Sequence, residues 1–497
     1  MSTGRYTLKV WGVLVNKAES YRNPTRQRGV SDHVASYSPT HQASILVSGV
    51  PFRAGFTRCG TRVQSTRLLV SRLPRHIAVA LPFYLAKLLA RTGMARLLPS
   101  AQRLAIGGVR HLHHLSDRAL AAPYAELADA ASFSDVHGPD AIDLALGAPL
   151  FDLVPSGSTK LPADRRGWPP ICGIPELRQA VADSLQSDRS QEDVLITAGA
   201  ADALGIALDT FVNPGDRVVL FDPSSPLYSF MLRQRRARIR WISSYMDDGL
   251  TRVRLHEVAR AMRGARLVVI NSPANPTGGV LAPEDVEVIA WWAARRDVLI
   301  LSDQVLKGYE YDTQCTAIEA YPTARLRTLT IGSVSKSHAL AAIRVGWLVA
   351  NRQLMRPCVL TAGTQGPLVS TLSQQIALGA LRQSADALAA IRSDFASRRA
   401  YAFERLQALG VTPAWPAGGF FFWVPVRYLD LNGQEFAERL VRAKRVLVTP
   451  GKLFGPSGDG HVRVSYATES GRLREGLNRM AEFVRELQGE RTMSKAA

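Results

Sequence analysis

From about residue 165 onward, short apolar runs alternate with longer stretches in which apolar residues return at helical spacing. Arg217–Phe221, Arg266–Ile270, Val298–Ser302 and Thr328–Ile331 read as buried strands, and amphipathic segments such as Asp285–Arg295 lie between them. This alternation predicts βαβ units, hence an α/β fold with a mainly parallel sheet covered by helices. Ligands in such sheets bind beyond the carboxyl ends of the strands. Polar residues gather there: Asn271–Gly278 follows one run, Asp303 ends the next, and Ser333–Lys336 follows the fourth.

Upstream the pattern changes. Residues 1–70 show no sustained apolar period of the kind a packed domain needs. His76–Ala90 is apolar but broken by Lys87 and falls short of the ~20 residues that span a bilayer. It predicts an amphipathic helix lying on the body of the protein, not a membrane span. The first apolar run, Val10–Val15, is too short for a signal peptide.

A chain of 497 residues is too long for one core and implies two or three domains. Its 46% hydrophobic and 21% charged residues suit a soluble globular protein. Cys59, Cys172, Cys315 and Cys358 stand far apart, with no paired spacing and no histidine cluster suited to zinc. That implies a reducing, cytoplasmic compartment without a disulfide framework. The net charge of +19 is uneven, because residues 1–100 hold fifteen Lys or Arg against Glu19 and Asp32. Such a segment suits a transit peptide, an arm drawn to polyanions, or sequence upstream of the true start codon, and all three readings stay open. The five arginines of Arg233–Arg240 raise a nucleic-acid partner. The alternation in Arg236–Ile242 fits a strand with one solvated face better, and no nucleic-acid-binding signature accompanies it. His111, His113 and His114 lack spaced partners and read as a solvated helix face, so no metal site is expected.

Lys336 carries the strongest chemical signal. It lies in Gly332-Ser-Val-Ser-Lys-Ser-His-Ala-Leu340, after a predicted strand, with Ser333 and Ser335 before it and Arg344 eight residues on. Hydroxyls and a guanidinium can hold a phosphate while the amine meets a carbonyl carbon, which is what pyridoxal 5'-phosphate requires. Thr197-Ala-Gly-Ala-Ala-Asp202 opens a helical stretch with small residues, so it is either a helix N-terminus that binds phosphate or a plain strand-to-helix turn. Asp303 needs a cationic or donor partner at the edge of a buried sheet; a pyridinium nitrogen would serve, and so would the cap of a following helix. Arg463, in a short strand after the glycine-rich turn Gly455–Gly460, either grips a carboxylate in a fork or is solvated.

With these motifs, residues 140–490 resemble the class I/II aminotransferases, the fold type I family of pyridoxal-phosphate enzymes. The resemblance implies a large cofactor domain over 166–360 with a seven-stranded type of sheet. It also implies a smaller α+β domain from 116–165 joined with 361–490, after a basic extension over 1–115. It assigns Lys336 to the internal aldimine and the proton shuttle, and Asp303 to the ring nitrogen. Asn275, in Asn275-Pro-Thr-Gly278, goes to the ring 3'-oxygen and the substrate. Gly199, Ala200, Ala201, Ser333, Ser335 and Arg344 go to the phosphate, Arg463 to the substrate α-carboxylate, and Gly147 to the entering substrate. Gly418-Gly-Phe420 matches the family's small-domain strand. Amino-acid and 2-oxo-acid substrates and a homodimer with a shared active site follow, with no membrane partner.

Four positions depart from the family pattern. Leu306 replaces the tyrosine that donates to the 3'-oxygen, and Ser225 stands where an aromatic ring stacks, with Tyr228 three residues on. Trp168 stands where a neighbouring subunit sends a tyrosine, and Gln304 replaces a glutamate. They leave open a lyase, replacement or decarboxylating enzyme on the same fold. From another class, a non-catalytic polyanion-binding protein on this scaffold also remains open.

Overall fold

The computed structural model describes residues 140–149 and 167–496, apart from 186–187, 248, 366–367 and 384. The expectations for residues 1–115, for His76–Ala90 and for the three histidines lie outside the described residues, as does most of 116–165.

The strands before residue 350 are β1 (Ile142–Asp143), β2 (Val194–Thr197), β3 (Arg217–Asp222), β4 (Arg238–Asp247), β5 (Leu250–Val253), β6 (Leu267–Asn271), β7 (Val280–Leu281), β8 (Leu299–Asp303), β9 (Thr328–Ser333) and β10 (Gly346–Val349). After it come β11 (Phe421–Pro425), β12 (Val446–Leu447), β13 (Thr449–Pro450) and β14 (His461–Ser465). The large sheet runs β2-β10-β9-β8-β6-β3-β4-β5-β7. Its centre, from β9 to β4, is parallel; β10 is antiparallel to both neighbours, and β5 folds back on β4. The seven-stranded sheet of the resemblance is therefore present from β2 to β4 and is lengthened to nine by β5 and β7.

Successive side chains of a strand point to opposite faces, and the core divides accordingly. Val218, Leu220, Leu267, Val269 and Leu301 join one apolar cluster, with Leu204 and Leu208 of the helix Ala200–Phe211. Val219, Phe221, Val268, Ile270 and Ile300 join another, with Val286 and Ile289 of the helix Pro283–Arg296. That helix starts at a proline followed by Glu284 and Asp285. It ends on Arg295 and Arg296 before a left-handed Asp297, so acids in the first turn and arginines in the last complement the helix dipole.

The arginine run has structural uses. Arg235 forms two hydrogen bonds to Asp209 (2.6 and 2.7 Å), and Arg240 donates to the carbonyls of Ala261 and Arg263 beyond a helix end.

A second apolar cluster region surrounds the antiparallel sheet β11-β14-β13. Phe395, Phe420, Phe422, Phe436, Val464 and Tyr466 fill it, and the helices Ala385–Gln407 and Ser470–Ala496 pack together beside it. Ile142 and Asp143 of β1 pair in parallel with Val446 and Leu447 of β12, joining chain that precedes the large sheet to chain that follows it. No helix among the described residues is long and apolar enough to cross a membrane.

Candidate active site

Strand register assembles one end of the site. Gly346 pairs with Ser333 on one side and Thr197 on the other, so the Lys336 turn, the Arg344 segment and the loop after β2 meet at one edge. Gly199 (φ +91°) caps the helix Ala200–Phe211, and a Cβ there would run into the Arg344 guanidinium. Arg344 donates to Ala341 O (3.0 Å) and Ala198 O (3.2 Å). Ser333 Oγ accepts from Ser335 N, and both serines are buried. The N–H groups of a helix start, two hydroxyls and a guanidinium are thus brought to one end of the sheet, a set of donors suited to an anion.

Lys336 lies in the turn Val334–Ser337, with its Nζ donating to Gly147 O and its own carbonyl accepting from Tyr309 Oη (2.9 Å). Burial, with the Arg463 and Arg344 charges behind it, pushes its pKa down to about 8. Gly147 is itself indispensable here, because a Cβ would collide with the Phe421 and Phe420 rings.

Asp303 ends β8 beside Asn271 of β6. Its Oδ2 accepts from Tyr228 Oη (2.5 Å) and its Oδ1 from Val305 N (2.9 Å). Burial raises its pKa, against the pull of those two bonds. Asn271 donates to Asp303 O (3.1 Å) and accepts from Asn275 N (2.8 Å). Asn275 Oδ1 in turn accepts from Arg463 Nη1 (2.8 Å), while Nη2 donates to Ala145 O (2.5 Å) and Thr449 Oγ1 (3.2 Å). Phe421 and Phe454 lie 4.3 and 4.9 Å from the Arg463 guanidinium carbon. Burial pushes Arg463 down to about 9, with Asp143 opposing, and its Nε is buried without a partner.

The hydrogen bonds therefore link Asp303, Asn275 and Arg463 in one network, and the charges of Arg463 and Arg344 reach Lys336. Among the described residues, Lys336 and Arg463 form no ion pair with a carboxylate, and Asp303 none with a cation. Buried charges without partners are costly. A molecule bearing a basic ring nitrogen, a carbonyl and a phosphate, with a carboxylate brought by its reaction partner, meets all of these demands, so the residues present fit pyridoxal phosphate.

The departures have structural reasons. Leu306 is buried in the apolar cluster of the smaller sheet, where a hydroxyl would lack water. Gln304 donates to Glu319 Oε1 (3.0 Å), where a glutamate would repel it. Trp168 is 90% exposed. The sequence did not reveal Tyr228 as the partner of Asp303, nor the rings beside Arg463. Tyr228 was visible only as the aromatic nearest Ser225, and the rings approach through the fold.

The model of the family "Aminotransferase class I and II" matches residues 139–480. The chain belongs to this family. An arginine–pyruvate transaminase of Pseudomonas aeruginosa is 30% identical over 387 residues, 73% of this chain and 97% of the relative. An aspartate aminotransferase of Pyrococcus abyssi is 29% identical, over 70% of this chain and 92% of its own length. Among solved structures, an aspartate aminotransferase of Thermus thermophilus with maleate superposes with a TM-score of 0.67 at 28% identity, over 74% of this chain and 99% of the other. The Thermotoga maritima aspartate aminotransferase gives 0.68 at 29%, over 75% and 100%. Class I/II aminotransferases are pyridoxal-phosphate enzymes of fold type I, and this chain is an enzyme of amino-group transfer with that fold.

Proposed function

We propose that the chain is a cytoplasmic, homodimeric aminotransferase that carries pyridoxal phosphate at Lys336 and moves an amino group between an amino acid and a 2-oxo acid. The observation that carries this reading is the set of buried titratable groups at Lys336, Asp303 and Arg463, none in an ion pair among the described residues, around one hydrogen-bonded network. When bound, the cofactor supplies a carbonyl carbon that captures an amine and a ring that takes up the electrons released at the substrate Cα.

The chain supplies the rest. Gly199, Ala200, Ala201, Ser333, Ser335 and Arg344 hold the phosphate. Asp303 would pair with the ring nitrogen, whose positive charge would favour its carboxylate against the cost of burial, and Tyr228 fixes the direction of Oδ2. Asn275 contacts both the ring and the substrate. With a pKa near 8, Lys336 Nζ has an appreciable free-amine fraction at neutral pH and can take the proton from the substrate Cα. Arg463 presents a planar fork to the α-carboxylate, and Phe421 and Phe454 keep water from the guanidinium. Gly147 leaves room where the substrate enters.

The test is the absorption spectrum of the protein with pyridoxal phosphate beside Lys336→Ala, followed by a panel of amino acids. A visible band that depends on Lys336 and is bleached by at least one amino acid, with the matching 2-oxo acid released, is expected. A band that no amino acid bleaches would point to elimination, replacement or decarboxylation, and absence of a band would overturn the cofactor site.

A further inference from the structure

Asp222 is a buried carboxylate that the proposed chemistry does not use. It ends β3, at the edge of the sheet where the site residues gather, and is only 6% exposed. Among the described residues no cation pairs with it. Its carboxylate partner comes from the turn that leads into β14: Ser457 N donates to Oδ2 (3.0 Å) and Oδ1 (3.3 Å), and Ser457 Oγ donates to Oδ1 (2.9 Å). Two residues along from Asp222, Ser224 N donates to Phe454 O (2.8 Å). Between these ties sits Gly455 (φ +142°), where a Cβ would run into Asp222 Oδ1. The turn 454–457 is thus fastened closely to the end of a strand in the other sheet.

What the turn carries gives this contact its consequence. The Phe454 ring lies 4.9 Å from the Arg463 guanidinium carbon and meets Trp423 edge-on at 5.4 Å. Arg463 itself reaches from β14 to Asn275 on the large-sheet side. The relative placement of the two sheets' ends therefore decides how the fork of Arg463 is presented. Burying a carboxylate is costly, and bonds from N–H and O–H to a charged acceptor are about twice as strong as neutral ones, so the tie is tight and directional.

We propose that Asp222 is a positioning residue for substrate recognition: through Ser457 it fastens the Phe454–Ser457 turn to the end of β3 and holds Phe454 against Arg463 in the arrangement that accepts the substrate carboxylate. This rests on the reading of Arg463 given above.

The experiment compares Asp222→Ala, Asp222→Asn, Ser457→Ala and Arg463→Ala in the full-length, cofactor-loaded enzyme. Ser457 is exposed, so its variant removes part of the tie without opening the core. Asp222→Ala should raise KM for the amino acid, and the inhibition constant of succinate as a non-reacting carboxylate, by about tenfold, and Ser457→Ala, which keeps the two backbone bonds, should raise both by less. kcat and cofactor affinity should stay within about twofold. Amide exchange over 454–457 should quicken in both, and Asp222→Asn, which keeps an acceptor oxygen, should fall between them and the parent. An unchanged KM in the Asp222 and Ser457 variants, with a raised KM in Arg463→Ala, would overturn the role of Asp222 alone. Cofactor affinity falling in step with KM would overturn it too, by making the residue a general support of the fold. An unchanged KM in Arg463→Ala would remove the carboxylate reading, and this inference with it.

Discussion

Lys336 illustrates how a residue suited to catalysis can lower the stability of the fold that holds it. Its ordinary pKa of 10.5 is pushed down to about 8, first by burial and then by Arg463 and Arg344. Between those two values the unfolded chain keeps the proton that the folded chain has lost, so folding stability rises with pH across that window. Below about pH 8 the folded, cofactor-free chain carries the full cost of a buried ammonium, on the order of 3 kcal/mol. Lys336→Met keeps the length of the side chain and removes the charge. It should stabilise the cofactor-free protein at pH 7 by about 2 kcal/mol once the lost bond to Gly147 O is allowed for, and the gain should shrink towards pH 10. Urea unfolding at the two pH values measures this. An equal gain at both would assign the effect to packing and not to charge. Arg463 belongs to the same balance: its depressed pKa and unpartnered Nε express the same want of an anion.

The proposed phosphate cradle is a property of elements, since the loop after β2, the helix it opens, the end of β9 and the start of β10 each supply a part. Gly199→Ala should weaken pyridoxal phosphate binding at least tenfold, through a forced left-handed backbone and a collision with Arg344. Gly308 shares the left-handed φ (+98°) but has open space around it, so Gly308→Ala serves as the control for backbone strain. Equal losses in cofactor titrations of the two variants would remove the crowding argument. Elements of this kind were legible in the sequence where burial is two-sided. Arg217–Phe221, Arg266–Ile270, Val298–Ser302 and Thr328–Ile331 each fall largely on a strand, because a strand covered on both faces draws β-branched and apolar residues at nearly every position, with only small hydroxyls such as Thr328 and Thr330 between them. β7, with two residues, and β5, which extends the sheet by folding back, left no such run, and they account for the two added strands. Within the site, residues on strand ends and glycine turns could be read from the chain. Tyr228, Phe421 and Phe454 could not, because Tyr228 meets Asp303 only through packing of a helix on the large sheet, and the two rings reach Arg463 only through the pairing of β11 with β14 and the fold of the turn before β14.

At the scale of the molecule, charge and apolar surface are distributed differently. Most of the net positive charge lies in residues 1–100, whereas the proposed site residues all fall between Gly147 and Arg463. Some of the exposed apolar residues lie before β2 and on the helix that follows β10. Trp168 is 90% exposed, Ile171 is 47% exposed, and Leu360 of the helix Arg352–Gln365 is 69% exposed. A Cβ on Gly363 would lie 3.8 Å from Ile171, and Leu360 sits one helical turn before Gly363 on the same face, so Ile171 and Leu360 border one strip. Large side chains left in water along one strip suit burial against another chain, and the proposed homodimer would supply a second copy of this one. Leu360→Glu places a charge in that strip without touching the cofactor cradle. Sedimentation velocity should give a dimer for the parent chain and a shift toward monomer for the variant. If the active site is shared, cofactor affinity should drop as the dimer dissociates; a monomeric variant that binds cofactor as the parent does would show that each subunit completes its own site, and that Trp168 serves no neighbour.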